Sequence, residues 1–138
     1  KINSGLSFYP SGLNGFVDVR DVSNSIIELM NSSLSSERYI LVAENLSYES
    51  VFKKISKSLN VKPPSYVASK ELMNFAWRME YLISLITRKS PKITKETAKT
   101  SSQKNYYSNE KIINQIGYKF ISIEDAIENT TKYILEFK

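Results

Sequence analysis

Tyr66-Val67-Ala68-Ser69-Lys70 sets a phenol and an ammonium four residues apart. On one helix that spacing is a single turn. The lysine charge could then lower the tyrosine pKa and let the phenol act as general acid or base. Tyr107 and Lys111 repeat the spacing. The chemistry requires both residues of a pair on the same helix. Pro63-Pro64 stands just upstream of the first pair, and Ser69 is the natural N-cap of the helix that follows. Tyr66 then falls in an extended segment outside that helix, as an anchor packing against its end. With nine Tyr and 15 Lys in the chain, about one such pair is expected by chance. The sequence therefore assigns no catalytic residue.

Asp18, Arg20 and Asp21 are the next cluster. At the C-terminal end of a strand in an open sheet, where ligands bind, Arg20 could grip a carboxylate or phosphate with its bidentate fork. The competing arrangement is internal: Asp21 caps the following helix and Arg20 pairs with Asp18 or Glu44. The chain has no Cys and no His. That excludes disulfides, thiolate metal sites and the usual base near neutral pH. No carboxylates have metal-ligand spacing. The glycines, Gly5, Gly12, Gly15 and Gly117, do not form the cluster that lets backbone N–H groups approach a pyrophosphate, so no cofactor-binding residue is assigned.

These groups need elements to hold them. Phe16 to Val19 reads as a short buried strand, and the period changes at Asp21. Val22, Ile26, Leu29 and Met30 then follow helical spacing to about Asn31. Arg38 to Val42 reads as a second strand. A helix between two strands indicates an α/β fold with a few parallel strands, at about 16–19 and 38–42. Ser47 caps a helix over 48–59 with Val51, Phe52, Ile55 and Leu59 inward; Asn60 closes it. A wide apolar helix over about 69–87 carries Leu72, Phe75, Ala76, Met79, Leu82, Ile83 and Ile86, and is expected to be buried on more than one side. Short helices follow at about 94–100 and after Ser108, which caps the second and leads to its close at Gly117. Ser122-Ile123-Glu124-Asp125 opens a last amphipathic helix that includes Phe137.

Phe8-Tyr9-Pro10, Gly12, the block Gly15-Phe16-Val17-Asp18-Val19-Arg20-Asp21-Val22, Glu37-Arg38-Tyr39-Ile40-Leu41-Val42 and Glu44-Asn45 resemble the C-terminal half of extended short-chain dehydrogenases. These are the NAD(P)-dependent epimerase/dehydratase proteins, and the likeness is to their dihydroflavonol-reductase-like branch. Tyr107-Ser108, Gly117-Tyr118 and Ala126 continue it, so that it spans roughly Phe8 to Phe137. The resemblance implies that 1–138 is a single substrate-binding C-terminal region with a mostly helical cap. The Rossmann domain, the catalytic Tyr and Lys, and NAD or NADP would belong to a preceding portion. The fragment alone is expected to be inactive and to bind no cofactor. The family places its Tyr-x-x-x-Lys motif before the Asp18 block, whereas Tyr66 and Lys70 come after it. Phe8, Tyr9 and Phe16, with Arg20, are the implied substrate contacts. The substrate would be a nucleotide-sugar or a related hydroxy or keto compound, and the compartment the cytoplasm.

A length of 138 residues suits one domain, and the chain starts at Lys1 in mid-pattern, as a fragment would. No apolar run could span a bilayer. The net charge of +5 is matched by Arg88, Lys89, Lys92, Lys95, Lys99 and Lys104 against Glu96. No aromatics interleave with these lysines, so the run reads as a solvated surface. Neither nucleic acid nor a membrane is expected as partner. Strands cut from a larger sheet predict self-association. The alternative is a non-catalytic, stand-alone binding domain whose basic segment meets an acidic partner.

Overall fold

The computed structural model describes residues 5–91 and 94–136. Lys92 of the basic run and Phe137 of the last helix lie outside them. The fold is mixed α/β, with six helices and short strands in two-stranded sheets among the described residues. The chain forms two compact units, one from Lys1–Leu13 and Ser47–Asn105, the other from Asn14–Leu46 and Tyr106–Lys138.

In the first unit, β1 (Phe8–Pro10) runs parallel to β4 (Tyr66–Ala68), with Phe8 opposite Tyr66 and Pro10 opposite Ala68. Helix α2 (Tyr48–Ser58) packs on β1. Ser47 caps α2, its hydroxyl accepting from the Ser50 N–H at 3.1 Å. Asn60 follows the helix in the left-handed region at φ 53°, a conformation Asn tolerates better than most residues. Val51 is buried on the expected stripe, while Lys53 and Lys57 lie outside it. Helix α3 (Lys70–Thr87) is capped by Ser69 and packs on α4 (Lys95–Thr100). Backbone bonds from Gly12 N–H to Ser101 O and from Asn105 N–H to Leu13 O tie the segment after α4 to the connector after β1.

The expectation for α3 fails in one respect. No residue of this helix is fully buried. Met73, Ala76, Trp77 and Ser84 are half-buried, whereas Phe75, Leu82 and Ile86 are 63%, 53% and 84% exposed. The helix packs by its mixed side, and its aliphatic stripe faces water.

β2 (Leu13–Phe16) pairs with β3 (Glu44–Ser47), and the chain passes between the units at these strands. β2 ends earlier than the expected strand at 16–19, and residues 38–42 form no strand. The reason is competition for backbone acceptors. Carbonyls that a ladder would use are taken by side chains: Lys111 Nζ donates to Arg38 O at 3.1 Å, and Asn109 Nδ2 to Val42 O at 2.7 Å.

The second unit also holds α1 (Val19–Met30), α5 (Glu110–Ile116) and α6 (Ile123–Glu136). Its core includes Val42, Ile112, Tyr118 and Ile123. Gly117 ends α5 at φ 67°, a left-handed position that favours glycine. Ser122 Oγ accepts from the Asp125 N–H, the first bond of the capping pattern, and its hydroxyl also donates to the Asp125 carboxylate. Glu44 and Asn45 act as staples. Glu44 Oε1 accepts from Ile123 N–H at 2.9 Å, and the Asn45 amide both donates to Tyr107 O and accepts from Tyr107 N–H.

Candidate functional site

Helix α1 begins at Val19, with Asp18 rather than Asp21 as its N-cap. Asp18 Oδ1 accepts from the Arg20 N–H at 2.8 Å. The Arg20 guanidinium closes on the same carboxylate, Nε to Oδ1 at 2.9 Å and Nη2 to Oδ2 at 2.7 Å. One carboxylate thus meets the helix N-terminus and a bidentate cation together, which Asp21, three residues on, could not do. Arg20's hydrogen bond holds the Asp18 carboxyl below the usual range, against a smaller opposing effect of burial. A lowered carboxylate pKa stabilises the fold above the unfolded value near 3.8, and that stability is lost as pH falls through the native value. Asp18→Ala is expected to cost about 1 kcal/mol as a lost cap and to flatten the acid limb of a stability–pH curve measured by urea unfolding.

Released from capping, Asp21 turns inward and is 1% exposed. Its carboxylate accepts from Tyr118 OH at 3.0 Å through Oδ1 and from Ile121 N–H at 3.0 Å through Oδ2. The phenol also donates to Asp21 O at 3.1 Å. Burial first, and then the bond to Asp21, push the Tyr118 phenol up to about 12. It is therefore a fixed donor at neutral pH and no base. Above this buried node lies an open groove of about 470 Å³, lined by Asn24, Ile27, Glu28 and Lys119 as well as by Asp21 and Tyr118. The groove offers an acid, an ammonium and an amide beside one aliphatic wall, a set suited to a polar small molecule.

Burying Asp21 and Ser25 turns α1 over. Val22 and Leu29 are half-buried, but Ile26, Ile27 and Met30 are 50%, 57% and 79% exposed. The expected inward face at Ile26 and Met30 is thus an outward one.

The other candidates are placed as follows. Phe8 and Tyr9 lie on β1, with the Phe8 ring 5.6 Å from that of Tyr66. Phe16 ends β2 and Arg20 lies in the first turn of α1. The two pairs thus belong to different units. Tyr66 is on β4, before the Ser69 cap, and Lys70 is the first residue of α3, so they do not share a helix. Tyr107 is in a loop, and Lys111 pairs with Glu37 at 2.6 Å. The groove residues Asn24, Glu28, Tyr118 and Lys119 were not among the sequence candidates. The signal available was Tyr118 directly after a helix-ending glycine.

Gly12 and Gly15 are packed against the chain itself. A Cβ on Gly12 would lie 2.5 Å from Gln103 O and 2.6 Å from Ser101 O, and one on Gly15 would meet the Val42 side chain. The chain's own atoms fill both positions.

No family model matches the chain. It is 26% identical over 132 residues to a Synechocystis sp. protein described as "Putative dihydroflavonol 4-reductase", a match spanning 92% of this chain and 38% of that protein. The crystal structure of gox2253 shares its fold with a TM-score of 0.76 at 20% identity, over 99% of this chain and 41% of that one. The chain thus spans about two fifths of the length of the proteins it matches, and its sequence is distantly related to that one putative reductase.

Proposed function

From that distant relationship, we propose that the chain is the C-terminal, substrate-binding portion of an NAD(P)-dependent epimerase, dehydratase or reductase. Its substrate would be a nucleotide-sugar or a related hydroxy or keto compound. One observation carries the reading: α1 buries an acid and a serine while exposing Ile26, Ile27 and Met30. A helix so oriented is half of a core whose other half is supplied elsewhere. Matches covering only 38% and 41% of longer proteins support the same view. In this reading the nucleotide, the catalytic Tyr and Lys, and the hydride transfer belong to a preceding portion. This chain contributes substrate contacts, with Phe8, Tyr9, Phe16 and Arg20 as candidates.

Calorimetric titration of NADH and NADPH into the 138-residue chain is expected to give no binding heat; micromolar affinity would overturn the assignment of the nucleotide site to another portion. Alone, the chain is expected to self-associate through the α1 face. Ile26→Ser with Met30→Ser is expected to make it monomeric in light scattering, and a wild-type chain that stays monomeric at high concentration counts against the reading.

A further inference from the structure

The two units carry opposite charge. Counted along the sequence, the first holds thirteen Lys and Arg against four acids, a net of +9, and the second six against ten, a net of −4. The first unit also carries the α3 stripe. Leu72, Phe75, Met79, Leu82, Ile83 and Ile86 follow one helical face, and each is at least 41% exposed. Basic groups flank that stripe. Arg78 lies beside it on the helix, Arg88 is the C-cap and Lys89 follows; on α4, which packs against α3, Lys95 and Lys99 are exposed.

We propose that α3 and α4 form a peripheral docking surface for an anionic lipid bilayer, with the stripe entering the headgroup–acyl boundary and the basic groups meeting acidic headgroups. The charge selects the occupant. Arg78, Arg88 and Lys89, with Lys95 and Lys99 on α4, beside a continuous apolar face match an apolar surface bordered by negative charge, which is the character of an acidic membrane leaflet. Nucleic acid would use the lysines but leave the six apolar side chains in water. Lys70, Glu71, Arg78 and Glu80 fall within the helix, and no helix among the described residues is long and apolar enough to cross a membrane. The surface lies on the bilayer and does not span it. This departs from the sequence expectation of no membrane partner, which considered only a spanning run, and it does not depend on the enzyme reading.

The test is co-sedimentation of the full chain with phosphatidylcholine vesicles, with and without phosphatidylserine. Binding is expected to require phosphatidylserine and to weaken at high salt. Leu82→Ser with Ile86→Ser is expected to lower partitioning about tenfold or more, since apolar burial supplies much of the affinity. Arg88→Glu with Lys89→Glu leaves the stripe intact and is expected to lower it by a similar factor, about tenfold or more. Circular dichroism of both variants should match the parent, because the altered side chains are exposed. No sedimentation with acidic vesicles overturns the proposal. So does equal binding to phosphatidylcholine alone, or a stripe variant that binds like the parent. Two further results would overturn it: a stripe variant whose only change is from dimer to monomer without lipid, and DNA-duplex binding as strong as vesicle binding that survives the stripe variant.

Discussion

Asp21→Ala is expected to destabilise the second unit by about 3 kcal/mol, the cost of stranding a buried phenol and a backbone N–H once their shared charged acceptor is gone. In thermal unfolding that corresponds to a fall of about 10 °C for a chain of this size. Asp21→Asn should recover part of the loss, since its carbonyl can still accept one of the two bonds. Tyr118→Phe removes one donor and leaves the Ile121 N–H bonded, so about 1.5 kcal/mol is expected. The phenol adds a pH signature. Its native pKa of about 12 stands above the unfolded value of 10.0, so it stabilises the fold below pH 10, and that contribution disappears as pH rises toward 12. Urea unfolding across this range should show the loss in the parent and not in Tyr118→Phe. A fully stable Asp21→Ala protein would mean that the node is not the keystone of this unit.

Gly12→Ala tests the first unit. The added methyl would press on two backbone carbonyls, those of Ser101 and Gln103. Neither can turn aside as the end of a flexible side chain would. The strain falls on the Gly12–Ser101 and Leu13–Gln103 backbone bonds, 3.0 and 2.9 Å long. The expected cost is about 3 kcal/mol, the upper part of the range for overpacking. Amide exchange should rise first at Leu13 and Asn105. Gly5→Ala is the control for φ without crowding: Gly5 sits at φ 85° with nothing within 4 Å of a built Cβ, and about 1 kcal/mol is expected.

Local signals in the sequence carried well. Ser47 and Ser69 cap α2 and α3, Asn60 closes α2, Gly117 ends α5 although Asn109 and not Ser108 stands at its N-cap, and Tyr66 is excluded from the α3 helix for the reason its proline neighbours give. What failed depended on distant partners. Asp18 and Asp21 are equivalent as potential caps until Arg20 closes on one and Tyr118, 97 residues away, receives the other. An acid at helical spacing reads as a solvent-facing residue, so the inversion of α1 was hidden. Arg38–Val42 has strand composition, but whether its carbonyls meet a strand or the side chains of Asn109 and Lys111 is decided far along the chain. The candidate groove shared this fate, because half of its lining comes from Gly117 onward.

The interleaving of the two units also bears on how the polypeptide is made. β1 must wait for β4 to emerge, and Gly12 for Ser101. Asp21 stays unsatisfied until Tyr118 and Ile121 have left the ribosome. Nascent chains stalled anywhere before Asn105 hold neither body in finished form. For most of translation, then, aliphatic helices trail in the open, and premature release at those lengths yields clients for chaperones rather than half-sized folded products.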